Sequence, residues 1–445
     1  MANENNNNIK SGRTGRFSVG RRTFLGAAGA GAVTTTLAGC IGGGGSDGIT
    51  IGHLAPMTNT QGIGSDRSGK LAAEEINDDD GGIMDEEVEV VTENTRGDPS
   101  TAQDGASRLI NQENVDMIVG TFSSEVSLNI MDMISENDVP YIVTGSASPA
   151  IIENSIGSDY EANKNIFRSG PINSNFQAEA MGGYADYLND RHGWDTFAYL
   201  GDDAAWTDPF TENLPGELES RGYDVVHEAE LSTEIDDFST VMSTLDDEDP
   251  DAVFRFFAHI IGTDMLGSWH QSQADFGIEG IHVASMTPDF YELSEGAATY
   301  ETTSQSGAAG TTDITEKTLD FVDNYQSYTE DDDDAPELPM YMGFNTYDAI
   351  YLYKEAVEEA GTADYESDLD AIVDAMLGMD YTGTAGQISF YGEGDEYPHD
   401  VVEERNDDGV ITNFPITQWR PEGGLECVYP EQYRTADHIA PDWMN

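Results

Sequence analysis

The chain predicts an α/β fold of two similar lobes, each built on a parallel-type sheet. Three observations carry this expectation. From Ile49 onward short apolar runs alternate with amphipathic stretches, and the rhythm restarts after Phe167-Arg168-Ser169-Gly170-Pro171. Two successive strand-to-helix turns are also rich in small hydroxyl residues. Strand, helix, strand, helix at this spacing marks βαβ units, whose strands lie parallel.

In the first half, residues 49–55, 88–92, 115–120 and 139–145 read as buried strands. Residues 68–77, 101–113 and 124–137 read as the helices between them. In the last of these, Val126, Ile130, Met133 and Ile134 recur on one helical face. In the second half the expected strands are 195–200, 223–231, 251–258 and 281–285, with helices at 209–221, 238–246 and 263–274. Further helices follow at 315–328, 345–360 and 369–377, around an acidic loop at 330–339. Residues 383–390 open a strand, and a polar, Gly-rich tail ends the chain.

The first forty residues read as an address. Arg21-Arg22 precede Thr23-Phe24-Leu25-Gly26, a Gly/Ala-rich run and Leu37-Ala38-Gly39-Cys40. A twin-arginine pair ahead of an apolar stretch is an export signal. Its end resembles a lipobox, which implies a lipidated Cys40 and a surface-anchored protein, tethered through the Gly-rich residues 41–48. A disordered tail or a weak membrane helix is the other reading. The apolar run 24–38 is about fifteen residues, short of the ~20 that span a bilayer. A single acyl chain holds marginally, so a second chain or other contacts are expected to help.

Five of the 19 Lys and Arg residues and one of the 85 Asp and Glu residues precede Cys40, which leaves 14 bases against 84 acids and a net charge of −70. Such a chain repels itself in dilute buffer. At molar salt the Debye length falls to ~3 Å and the repulsion fades. The even spread of acid, with runs at 78–80, 246–251 and 330–334, resembles the style of extremely halophilic archaea. Binding of calcium or of a cationic partner is the alternative use of these acids. Nucleic acid and anionic lipid headgroups are poor partners for this surface. With 38% apolar residues in periodic groups the chain has a core to bury. Cys40 and Cys427 are its two cysteines, so lipidation of Cys40 leaves no internal disulfide.

Catalytic, phosphate-loop and metal motifs are missing from the sequence, and the eight histidines show no ligand spacing. No enzyme activity, cofactor or metal is therefore expected. The two hydroxyl-rich turns are Val119-Gly120-Thr121-Phe122-Ser123-Ser124 and Val143-Thr144-Gly145-Ser146-Ala147-Ser148-Pro149. In a parallel sheet both lie at the carboxyl edge, where open α/β folds bind ligands. Backbone N–H groups at a helix start, with Ser hydroxyls, form an anion site suited to a carboxylate. Ser123, Ser124, Ser146 and Ser148 read equally as ordinary caps and turn residues.

Several segments together resemble one family. They are Ile49-Thr-Ile-Gly-His-Leu-Ala-Pro-Met-Thr58, Ala72-Ala-Glu-Glu-Ile-Asn77, Gly81-Gly82-Ile83, Gly97-Asp98-Pro99 and Val115-Asp-Met-Ile-Val-Gly120 with Ser123-Ser124. Val139-Pro140, Ile166-Phe-Arg168, Pro250-Asp251-Ala252-Val253 and Tyr347-Asp348-Ala349 continue the series. Over residues 49–390 the chain is similar to the branched-chain amino-acid-binding (leucine/isoleucine/valine-type) proteins of ABC transporters. The resemblance implies the type I periplasmic-binding-protein fold: two Rossmann-like lobes joined by three crossings, near 168–171, 304–312 and 383–387, and closing on a ligand by hinge motion. Residues 49–170 with 305–385 would form lobe one, and 171–304 with 386–435 lobe two.

The same resemblance assigns roles. Ser123 and Ser124 match the hydroxyl pair that holds the ligand carboxylate, and Ser146 and Ser148 match the next turn. Trp206, in Asp202-Asp203-Ala204-Ala205-Trp206, stands for an aromatic wall, although the glycine that follows it in the family is missing here. His259 falls near another pocket position, and Asp289 would pair with a ligand ammonium. Core packing for Trp206, a surface loop for His259 and a solvated acid for Asp289 are the competing readings. The implied partners are a small amino acid, carboxylate or amide and ABC permease subunits. A ligand-sensing receptor of the same fold, or a hydrolase with Ser124 as nucleophile, are the alternatives.

Overall fold

In the computed structural model, which describes residues 48–444, the apolar run Ile49–Ala55 forms β1, buried along its whole length. The export signal, Cys40 and residues 41–47 lie outside the described residues. β1 pairs in parallel with β2 (Val88–Asn94) on one side and β3 (Met117–Gly120) on the other. β4 (Tyr141–Val143) and β5 (Ile166–Arg168) extend the sheet to the order β2-β1-β3-β4-β5, all parallel. Strands covered on both faces are unbroken apolar runs, and that made most of this sheet legible. β5, three residues long, gave no periodic signal.

Helices α1 (Thr60–Glu75), α2 (Pro99–Arg108) and α3 (Ser124–Glu136) make the crossovers, and the four-residue α4 (Ala150–Glu153) and α5 (Tyr160–Asn163) precede β5. α1 begins eight residues before the expected start at 68. Asn59 caps it by accepting from the Gly62 N–H at 3.0 Å. Its first turns bury Gln61, Gly62, Gly64, Ser65 and Asp66, so the inward face is small and polar and shows no apolar period.

α6 (Ser174–His192) leads to the second sheet. There β6 (Thr196–Asp202), α7 (Asp208–Arg221), β7 (Asp224–Leu231), α8 (Ser239–Glu248), β8 (Ala252–Phe257), α9 (Thr263–Ser272) and β9 (Gly277–His282) alternate in the manner expected. The strand order is β7-β6-β8-β9, all parallel. Two expectations need correction. α6 shows no apolar period because its buried face is largely small or polar, with Ser174, Gln177, Ala178, Ala180 and Gly182 inward, although its Asn173 cap and the Gly193 that ends it at φ 80° are ordinary helix punctuation. The strand expected at 281–285 ends at His282 instead, and Ala284–Met286 form a 3-10 turn; Gly277 and Gly280 had disguised its first half.

After the short α10 (Phe290–Leu293), β10 (Thr302–Ser304) runs beside β9, and the His282 N–H donates to Thr303 Oγ1 at 2.9 Å. α11 (Thr318–Tyr328), α12 (Met340–Ala360) and α13 (Tyr365–Leu377) follow, with α12 packed along α1 of the first sheet. Residues 383–390 hold less strand than expected, only β12 (Gln387–Ile388) against β11 (Tyr381–Thr382). Side chains satisfy this backbone instead: Asp348 accepts from the Thr384 N–H at 2.8 Å and Glu404 from the Gln387 N–H at 2.8 Å. The tail is more ordered than its composition implied. β13 (Ile416–Trp419) and β14 (Leu425–Tyr429) pair antiparallel, with β10 on the other side of β13, and Cys427 is buried as a free thiol. Among the described residues no helix is long and apolar enough to cross a membrane.

Candidate functional site

In each of the two parallel sheets the strand order reverses once, between β1 and β3 and between β6 and β8. In open α/β sheets ligands bind outside the carboxyl ends of the strands at such a point. Residues just past those ends surround one cavity of about 70 Å³. Phe122, Ser123 and Ser124 follow β3, Gly145 and Ala147 follow β4, Trp206 follows β6, and Ala258 and His259 follow β8. Segments that connect the sheets complete it, with Pro171, Ile172, Gln305 and Phe414. The volume is several times what a single water needs, which leaves room for a small organic molecule.

The β3 turn is shaped by Gly120. Its φ is 127°, and a Cβ there would sit 2.2 Å from the Leu54 carbonyl oxygen, so a side chain would push β3 off β1. Ser123 then takes the extended cap conformation and Ser124 opens α3. The first N–H groups of a helix have no acceptor within it, and its dipole adds positive potential. Ser124 Oγ accepts from the Ser148 N–H at 3.2 Å, which leaves its own proton free to donate. Ser123 Oγ donates to Glu125 Oε2 at 2.6 Å.

Ser146 and Ser148 do not line the cavity. Ser146 Oγ is buried against Ser127 Oγ at 2.6 Å, in a hydroxyl cluster with Thr121 and Tyr141. The Ser148 carbonyl accepts from Arg168 Nη1 at 2.8 Å, and Arg168 is paired with Asp400, both fully buried. The turn is thus braced from behind, and its Gly145 and Ala147 face the cavity.

Opposite them, Trp206 packs edge-on against Phe210 with centroids 5.7 Å apart and presents its other side to the cavity. His259 Nδ1 lies 3.0 Å from Asp202 Oδ2, which also accepts the N–H groups of Ala258 and His259. Burial opposes the charge on His259, but the bond and charge of Asp202, with Glu125 nearby, prevail and raise its pKa above the ordinary value. Burial likewise pushes Glu125 up, yet the Ser123 hydroxyl and the Ala205 N–H hold it below the usual range. That Ala205 N–H bond spans the cleft at 2.9 Å, and Gln61 Nε2 meets Met286 Sδ across it at 3.7 Å. Asp289 is exposed and lies apart, in an outer cavity that shares Phe122, Ser123 and His259 with the inner one.

Most of the lining carried no assignment in the sequence, and Gln177, Gln305, Tyr341 and Phe414 are among those residues. Of these four, only Gln177 had a local cue, one turn into a helix capped by Asn173. Three residues of this lining each have a side-chain atom buried without a hydrogen-bond partner: Gln177 Oε1, Trp206 Nε1 and Gln305 Nε2. No aspartate or glutamate lines the cavity. Among the described residues no group of three or more His, Cys, Asp or Glu is placed to hold a metal ion.

No curated protein matches the chain. Solved structures do. A leucine binding protein from Thermotoga maritima is 19% identical, with 85% of this chain and 97% of that one covered at a TM-score of 0.69. A putative branched-chain amino acid ABC transporter protein from Silicibacter pomeroyi is 18% identical, covering 89% and 100% at 0.75. A solute binding protein of an ABC transporter from Rhodopseudomonas palustris, in complex with benzoate, is 15% identical, covering 89% and 99% at 0.67. At these identities the likeness is one of fold. Residues 48–402 match the model of a family described as periplasmic binding protein. With its parallel sheets and the cleft between their carboxyl ends, the chain belongs to the periplasmic binding protein family.

Proposed function

We propose that this protein is the extracellular solute-binding component of an ABC importer, which captures an amino acid of branched-chain type or a similar small carboxylate and delivers it to the permease. The observation that supports this most is the start of α3: Ser123 and Ser124 open into a mostly apolar cavity between the two sheets. A carboxylate there would meet N–H groups and a hydroxyl, with the rest of the ligand against Phe122, Trp206 and Tyr341. Residues 49–170 with 305–385, and 171–304 with 386–435, would act as the closing lobes. The Glu125–Ala205 bond is then a contact of the closed state. The twin-arginine signal and a lipidated Cys40 would hold the trap at the outer face of the membrane of a salt-adapted cell. Family likeness to binding proteins, and the bonding of Ser124 Oγ to a backbone N–H, favour binding over catalysis.

A thermal-shift screen of amino acids, amides and organic acids in molar KCl tests this. A ligand at 100 times its Kd adds ~2.7 kcal/mol of apparent stability. For a fold of about 400 residues that is a rise of about 3 °C. No shift with any of these compounds contradicts the reading.

A further inference from the structure

Within that reading of the cavity as a carboxylate trap, we propose that the guest is a small carboxylate other than an amino acid: it carries no ammonium, and its second polar group is an uncharged hydroxyl or amide read by Gln177, Trp206 and Gln305. Three residues of one cavity's lining that each hold a buried polar atom without a partner are an unusual concentration, because buried donors and acceptors are nearly always paired. All three residues are more than nine-tenths buried, with exposures of 4% for Gln177, 7% for Trp206 and 5% for Gln305.

Their chemistry narrows the guest. The Trp206 indole N–H only donates. Gln177 Nε2 donates to the Ile172 carbonyl at 2.7 Å, which fixes the orientation of the amide and leaves Oε1 as an acceptor. A group that satisfies both must accept one hydrogen bond and donate another, as a hydroxyl or primary amide does. The Gln305 amide end adds a further polar contact to the same lining. A carboxylate would leave Gln177 Oε1 unmatched, and an ammonium could not accept from Trp206.

Charge argues the same way. A buried ammonium needs a carboxylate beside it, and none lines the cavity. Asp289 is exposed in the outer cavity, and Glu125, which accepts from Ser123 Oγ and the Ala205 N–H, is not among the lining residues. The walls Phe122, Trp206, Tyr341 and Phe414 suit a flat apolar body. A hydroxylated aromatic monocarboxylate is the simplest molecule with this pattern.

The test is calorimetric titration of the full-length protein in molar KCl with para-hydroxybenzoate, benzoate and leucine. A site built to bond a hydroxyl rejects the analogue that lacks it, so para-hydroxybenzoate is expected to bind at least about tenfold more tightly than benzoate, and leucine more weakly than either. The ratio between the two aromatic acids should collapse towards one in Gln177→Leu and in Trp206→Phe. Benzoate or leucine binding as tightly as para-hydroxybenzoate, or a ratio that survives in both variants, would overturn the inference and leave the trap standing. If no carboxylate binds, the trap reading falls and this inference falls with it.

Discussion

Asp400→Ala should be among the most damaging single changes to both the fold and the site. Arg168 and Asp400 have fully buried side chains, joined by Nε to Oδ1 at 2.7 Å and by a second Nη2 contact. Asn173 Nδ2 adds a bond to Asp400 at 2.8 Å, and Arg168 Nη1 reaches the Ser146 and Ser148 carbonyls at 3.3 and 2.8 Å. Removing the carboxylate leaves a guanidinium without countercharge in the interior, which costs about 3–5 kcal/mol. With an unfolding entropy near 2.1 cal/mol/K per residue over about 400 residues, Tm should fall by about 4–6 °C. Scanning calorimetry in dilute and in molar KCl measures it, and the loss should persist at high salt because buried pairs are poorly screened. The double variant Arg168→Leu/Asp400→Leu should recover most of the stability, since no charge is stranded. It should not recover ligand affinity, since the turn that presents Gly145 and Ala147 has lost its brace. A single variant within about 1 °C of the parent, or a double variant no more stable than the single, would refute this reasoning.

Glu125→Ala removes the cross-cleft bond to Ala205 and the bond to Ser123 Oγ. A hydrogen-bond contribution of about 0.5–1.5 kcal/mol to the closed state should weaken ligand binding about 2- to 12-fold by calorimetry; unchanged affinity would remove Glu125 from the closure contacts. His259 faces Asp202 and Glu125, and its pKa lies above the ordinary value in the fold. Its ring therefore stays protonated to higher pH than a free imidazole, and carboxylate affinity should decline as pH rises through that raised value. The stability it contributes follows the same sign, full below about 6.5 and lost above the folded pKa. Asp202→Asn should shift the decline to lower pH, and a Kd flat across the neutral range would count against His259 as a ligand contact. Asp348, pushed up to about 6 by burial against the opposing bonds from Thr384, favours its protonated form in the fold. Its stabilising contribution should be present in full below about 4 and be lost as pH rises to about 6, and Asp348→Asn should flatten that stretch of the stability profile.

How much could be read in advance depended on how local each signal was. β1 matches its expectation residue for residue because seven consecutive buried positions need no knowledge of their neighbours. The start of α3 was legible for the same reason, as Gly120, Ser123 and Ser124 lie within five residues. α6 was not, because its inward face packs through alanine, glycine and short polar side chains. β13 was hidden by distance: its partner β10 lies more than a hundred residues earlier, and neither strand is longer than four residues. The cavity repeats this pattern. Ser123, Ser124, Trp206 and His259 follow strands that were recognised and meet in its lining, whereas Gln305, Tyr341 and Phe414 arrive from connecting segments and a helix with no local mark of function. Ser146 and Ser148 carried the same signature as the first pair, yet only tertiary packing turns them away from the cavity.

The central claim is that a small carboxylate binds between the two sheets against Trp206. Five tryptophans are present, and Trp206 alone lines the cavity. Titration of a calorimetrically verified ligand while tryptophan emission is recorded tests the claim most directly. The emission of the parent protein should change saturably with ligand, and most of that change should vanish in Trp206→Phe at ligand concentrations that still saturate by heat. An undiminished emission change in Trp206→Phe would place the ligand elsewhere and contradict the account.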